Sequence, residues 1–214
     1  MARSTARVAA SAPIREIRWM RQVHGSTVLV VAPPPGPGPP SSVRIPAAAR
    51  RAGEGDALVA GEGAVGVAVL TADCASIALG SRQGVFGAVH AGWRGLVDGV
   101  VERAIATMET LGATEVVGAL GPCIHPECYE FSGHDLDRVA ARYGDGVRGR
   151  TSSGRPALDL PAAVSAALAA GGARQRPGMA ACTGCSGGYF SHRVRGDVGR
   201  QALVVWSAGG GGPR

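Results

Sequence analysis

His24, Cys74 and His90 carry two imidazoles and one thiol, and each stands beside an apolar run: RQVHG before TVLVVA, TADC after VGVAVL, and VHAGWRG closing GVFGAVH. Two imidazoles and a thiolate leave one position open around a tetrahedral ion. That is the composition of a catalytic zinc set, in which water or a substrate atom takes the fourth place. The three residues lie 50 and 16 positions apart, which is no local motif; only a sheet that gathers strand ends turns them into one site. Asp73, next to Cys74, is placed to orient a ligand or move a proton, or else simply to cap a turn. Arg94 lies between Gly92 and Gly95 at the start of an expected helix, where free amides and the dipole favour an anion. The plainer alternative is a core histidine followed by a surface arginine.

Three further patterns match known motifs by letter. Residues 61–66 read G-x-G-x-x-G, but a dinucleotide site needs a helix next, and VGVAVLTADC reads as a strand. Residues 184–188 read G-x-S-x-G, yet the polar YFSHRVRGD that follows does not have the pattern of the helix a nucleophile elbow requires. Cys182 and Cys185 form a C-x-x-C, either a redox pair or half of a structural zinc site. Its other half would have to come from Cys123 and Cys128, five residues apart, and small buried or loop cysteines are the preferred reading.

These residues need elements to position them. After an opening expected to be partly helical, Thr27–Ala32 is β-branched and strand-like, and the Pro-rich stretch over 33–46 reads as a surface loop within one domain. Val65–Leu70, Ser76–Leu79 and Gly84–His90 are short apolar runs of the kind that form buried strands. Leu96, Val97, Val100, Val101, Ala104, Ile105 and Met108 recur at helical spacing up to Gly112. Glu115–Leu120 predicts a strand, GPCIHPECYEF an irregular loop, His134–Tyr143 and Leu160–Ala170 two helices, and Ala202–Trp206 a terminal strand. The expectation is a single α/β domain over 1–206, a mixed sheet flanked by helices, with a disordered tail over 207–214.

The chain has 214 residues, 45% apolar and 18% charged, enough for one core. All 22 basic residues are Arg, and Lys and Asn are absent. That excludes a Schiff-base lysine, a phosphate loop of the G-x-x-x-x-G-K type and a Cys-His-Asn triad. The formal charge of +6 suggests nucleic acid, but the arginines are scattered and no aromatic residues interleave with them. No nucleic-acid partner is expected. No run approaches the ~20 apolar residues of a membrane span. Five cysteines without a secretory signal point to a reduced, cytoplasmic protein. No oligomeric state follows from these features.

RQVHG (21–25), GDALVAGEGAVGVAVLTADC (55–74), GAVHAGWRG (87–95), LGPCI (120–124), CT (182–183) and the FSHR…GRQ…W pattern from Phe190 to Trp206 together resemble the bacterial multicopper-polyphenol-oxidase-like, or laccase-domain, family. Its members are described as zinc-dependent purine nucleoside phosphorylases with adenosine deaminase and methylthioadenosine phosphorylase activity, related to the peptidoglycan editing factor. The resemblance runs in order over roughly residues 19–206. It implies that His24, Cys74 and His90 are the metal ligands, that Asp73, Cys74 and Arg94 are catalytic, and that Arg94, Ser191, Arg193 and Arg200 bind substrate or phosphate. The implied cofactor is Zn2+ rather than copper, and the implied partners are purine nucleosides (adenosine, inosine, guanosine, methylthioadenosine) and phosphate.

Three differences accompany it: an Arg-Gly-Gly loop and a stretch like HVGDD are expected ahead of this sequence, His192 replaces the aromatic of F-S-Y-R, and Ser76 replaces a Pro. The alternatives are a peptidoglycan-precursor editing hydrolase and an inactive member lacking the family's N-terminal segment. Five histidines are too few for a set of multicopper centres.

Overall fold

Strand residues that are buried at every position need cover on both faces, and 57–60 and 86–91 are buried throughout. The computed structural model describes residues 14, 16–32, 50–61, 63, 65–179 and 181–207. The Pro-rich stretch over 33–46 and the tail beyond Ser207 lie outside the described residues, as do Glu62 and Ala64.

The strands are β1 (Glu16–Arg21), β2 (Val28–Val31), β3 (Arg50–Glu54), β4 (Ala57–Ala60), β5 (Val65–Thr71), β6 (Ala75–Gly80), β7 (Phe86–Ala91), β8 (Val117–Leu120), β9 (Arg148–Arg150), β10 (Pro156–Leu158), β11 (Arg174–Gln175) and β12 (Gln201–Trp206). The helices are α1 (Trp93–Val97), α2 (Val100–Thr110), α3 (Gly133–Tyr143), α4 (Leu160–Ala170) and α5 (His192–Arg195). A six-stranded mixed sheet runs β11-β8-β6-β7-β4-β2, and a four-stranded mixed sheet runs β12-β5-β1-β3. A small hairpin pairs β9 with β10.

Alternation along β4 and β7 sorts the layers. Ala57, Val59, Val89 and Ala91 join Ile77 and Leu79 in a core with Leu96, Val101, Ile105, Met108, Val139, Val164 and Leu168 from α1–α4. Leu58, Ala60, Phe86 and Ala88 point the other way and meet Met20, Val65, Val67 and Val69 of the four-stranded sheet. Helices therefore cover one face of the six-stranded sheet and the second sheet covers the other. Ser132 and Asp159 cap α3 and α4, accepting from the amides of Asp135 (3.1 Å) and Ala162 (2.9 Å).

The mixed α/β architecture is as expected, with two principal sheets in place of one. Residues 1–13 and 15 of the opening lie outside the described residues, and residues 16–21 form β1, held by parallel pairing to β5 and β3. A β-branched, alternating neighbour decides this, because pairing supplies more than local helix preference can oppose. The single helix expected over 96–108 is divided at Asp98 and Gly99 into α1 and α2. Short strands β3 and β4 went unread in the sequence. Among the described residues no helix is long and apolar enough to cross a membrane.

Candidate metal centre

Sheet register places the ligands. The pairing Ala57↔Val89 sets Asp56, just ahead of β4, beside His90 near the end of β7, and the His90 amide donates to the Asp56 carbonyl (2.8 Å). The pairing Ala75↔Ala91 puts Cys74, just ahead of β6, opposite Gly92. His24 arrives on the turn between the two sheets, where the Gly55 amide donates to the Arg21 carbonyl (3.0 Å) and the Asp56 amide to the Thr27 carbonyl (2.9 Å).

One buried carboxylate finishes this arrangement. Asp56, with no exposed surface, accepts from the amides of Val23 (3.2 Å), His24 (2.9 Å) and Gly25 (2.7 Å). Those three donors fold the turn that holds His24, whose φ is 60°. The same carboxylate accepts from His90 Nδ1 at 2.8 Å. With Nδ1 protonated and engaged, His90 offers Nε2 to an ion, the usual pattern of a carboxylate-oriented ligand histidine.

The ligand atoms of His24, Cys74 and His90 all lie within 4.8 Å of one another. Cys74 Sγ is 3.8 Å from His24 Nε2, and the two imidazoles meet edge to face, their centroids 4.8 Å apart. Gly92 permits this closeness: a Cβ there would fall 2.9 Å from His24 Cδ2 and 3.4 Å from Cys74 Sγ. Burial would raise the Cys74 thiol, but hydrogen bonds to His24 and His90 and their charge bring it down to about 6. Burial likewise opposes the His90 cation, yet Asp56 and then Cys74 lift its pKa to about 9. Burial also works against the Asp56 anion, and His90 with the surrounding amides still holds its carboxyl below the ordinary range. This is a thiolate and an imidazolium poised to exchange a proton for a metal. The donor set of two nitrogens and one thiolate, oriented by a buried carboxylate, fits zinc with one position open.

Beside the ligands stands a second group of residues. Asp73, buried and at φ 96°, accepts from Thr183 Oγ1 (2.7 Å) and from the Arg193 amide (2.6 Å). Both its carboxylate oxygens thus fasten the C-terminal segment to the turn carrying Cys74, a positioning geometry. The Arg193 guanidinium lies over the Tyr129 ring, 4.8 Å from its centroid, and donates to the Glu130 carbonyl (2.9 Å). Tyr129 is buried, which raises its phenol; the Cys74 charge raises it further, Arg193 opposes, and weaker contributions come from Asp73 and Arg94. Arg94 stacks on Trp93, with 4.4 Å from the guanidinium carbon to the ring centroid. It does begin a helix, as expected, but α1 has only five residues, so an anion there would rely on the guanidinium and not on a macrodipole.

Ser191 and Arg200 serve their own loop. Ser191 Oγ caps α5, accepting from the Val194 amide (3.2 Å), and Arg200 Nη1 donates to the carbonyls of Asp197 (3.1 Å) and Gly199 (2.8 Å). Sequence reasoning missed Asp56, Tyr129 and Thr183. A lone aspartate directly before the apolar strand ALVA was the available signal for the first; nothing local announces the other two. The G-x-G-x-x-G precedes a strand, as expected, while Ser186 Oγ accepts from the Gly188 amide (3.3 Å) within a tight turn.

The fold is a two-sheet, helix-covered α/β domain whose strand ends gather His24, Cys74 and His90 into a group able to hold a metal ion. The chain belongs to the family described as multi-copper polyphenol oxidoreductase laccase, whose family model matches residues 1–208. It is 40% identical over 191 residues to a Streptomyces griseus protein named purine nucleoside phosphorylase ORF3, covering 88% of this chain and 73% of that one. A Mycobacterium tuberculosis protein, also named purine nucleoside phosphorylase, is 33% identical over 211 residues, covering 96% and 79%. Among solved structures, protein NMB0706 of Neisseria meningitidis superposes with a TM-score of 0.71 at 26% identity, covering 89% of this chain and 74% of the other. YlmD of Geobacillus stearothermophilus gives a TM-score of 0.70 at 29% identity, covering 88% and 73%.

Proposed function

We propose that this chain is a zinc-dependent purine nucleoside phosphorylase acting on adenosine, inosine, guanosine and methylthioadenosine, with adenosine deaminase activity, in the cytoplasm. The observation that carries the reading is the convergence of His24, Cys74 and His90, with the Arg193 amide held by Asp73, the neighbour of Cys74. The relatives named purine nucleoside phosphorylase support it.

In phosphorolysis a phosphate oxygen bonds to C1′ of the ribose as the C1′–N9 bond breaks, and the purine leaves with a proton. Arg94 and Arg193 bind the phosphate, since guanidinium forks match its oxygens. Ser191 and Arg200 shape the loop that carries Arg193. Asp56 keeps His90 in one tautomer and holds the His24 turn, while Asp73 keeps the Arg193 segment beside Cys74. A zinc ion held by His24, Cys74 and His90 supplies Lewis acidity, the chemistry that attack of water on C6 of adenine requires. Zinc is preferred to copper because only two of the five imidazoles reach the cluster, too few for several copper centres.

The test is an assay of zinc-loaded protein on inosine and adenosine with and without phosphate. Ribose 1-phosphate and free base should appear only with phosphate, and adenosine should yield ammonia without it. Base release that ignores phosphate, or no turnover of either nucleoside, overturns the assignment.

A further inference from the structure

We infer that Cys128, Cys182 and Cys185 form a second, structural zinc site, with Glu127 as the fourth donor. This site is separate from the His24–Cys74–His90 centre and stands whether or not the proposed activity does. The three sulfur atoms lie within 4.8 Å of one another although Cys128 is 57 residues from Cys185 in the chain. The C-x-x-C therefore does gain a partner, and it is Cys128 alone; Cys123 is buried in the helix-side core and its thiol is pushed up by that burial.

The donors are those of a tetrahedral thiolate site. Around one zinc ion, Zn–S and Zn–O bonds of ordinary length set edges of about 3.8 Å between sulfurs and about 3.6 Å from sulfur to oxygen. Glu127 Oε1 is 3.7 Å from Cys185 Sγ, and His125 Nδ1 is 3.8 Å from the same oxygen, where it can steady the carboxylate. Cys128 and Cys185 sulfurs are 2.8 Å apart, and a rotation of the exposed Cys185 side chain reaches the metal edge. Cys182 Sγ accepts from the His125 amide at 3.3 Å, which fixes the direction of its side chain. The turn of the C-x-x-C fits tightly on its partner: a Cβ at Gly184 would lie 2.7 Å from Cys128 Cβ and 3.0 Å from its sulfur.

The consequence is mechanical. Zinc here would clasp the loop containing Pro126–Cys128 to the segment beginning at Cys182, and that segment carries Thr183 and Arg193, the two donors to Asp73. The clasp thus holds the segment that is fastened to Asp73, next to the ligand Cys74.

Metal analysis with native mass spectrometry on the full chain, purified anaerobically, tests this. The expected content is two zinc ions per chain, falling to one in Cys128→Ser and in Cys185→Ser, and also to one in His24→Ala. Substitution by Co2+ provides a second readout on the unmutated protein, needing no variant to fold. Its sulfur-to-cobalt absorption should build in two steps, one with several thiolates and one with a single thiolate. One zinc per chain that survives Cys128→Ser overturns the proposal. So does a Cys128–Cys185 disulfide in the anaerobic protein, or cobalt absorption from one thiolate alone.

Discussion

Asp56 Oδ1 and His90 Nδ1 lie 2.8 Å apart with both side chains out of contact with solvent, and the same carboxylate gathers the amides of residues 23–25. One buried anion therefore sets two of the three ligands. Losing such an outer partner typically weakens metal affinity about 10–100-fold, the drop expected for Asp56→Asn in chelator competition. Asp56→Ala should also cost about 3–5 kcal/mol in denaturant unfolding, since it strips a buried pair of its charge. Unchanged zinc affinity in Asp56→Asn would remove Asp56 from the centre.

Gly92 is where the strand carrying His90 passes against the other two ligands. Gly92→Ala places a methyl 2.9 Å from the His24 ring, so the ring must move. Zinc affinity should fall by about tenfold or more, the effect of a misoriented ligand. The backbone at 92 is extended (φ −73°) and accepts alanine, so the secondary structure seen by circular dichroism should persist. A variant that keeps full affinity would show that His24 is not held at this distance.

On the proposed function, Arg94→Ala and Arg193→Ala should each remove one charge-assisted contact to phosphate. A loss of roughly 1.5–3 kcal/mol corresponds to about ten- to over a hundredfold in kcat/KM, expected mainly as a raised KM for phosphate. Deamination of adenosine, which needs no phosphate, should fall much less. Equal loss of both activities would mark either arginine as structural, and zinc content separates that case from loss of the metal.

The stability of metal-free protein should depend on pH in a defined way. His90 is raised from 6.5 to about 9, so its contribution is complete below 6.5 and disappears as pH rises through about 9. Cys74 is lowered from 9.0 to about 6, so its contribution is complete above 9.0 and disappears as pH falls through about 6. Between about 6.5 and 9 the loss of the one contribution offsets the gain of the other, so denaturant midpoints of chelator-treated protein should stay nearly level across that window and fall only as pH drops through about 6. Midpoints that rise steadily across the window would show that the thiolate and imidazolium do not pair.

Residue types and local pattern settled much of this protein. The runs at 65–70, 76–79 and 84–90 became β5, β6 and β7 because their apolar residues had no solvent face to give up, and His24, Cys74 and His90 were legible as zinc-type donors from chemistry alone. The family motifs supplied their grouping, which spacing could not. Tertiary structure decided the rest. Parallel pairing to β5 made residues 16–21 a strand against their local preference, and the register Ala75↔Ala91 and Ala57↔Val89 brought Cys74 and Asp56 to His90. Asp56, Thr183 and the partnership of Cys128 with the C-x-x-C stayed unread for the same reason. A buried donor or acceptor is chosen by what lies across from it in space, and a neighbour 34, 110 or 57 residues away leaves no trace in local periodicity.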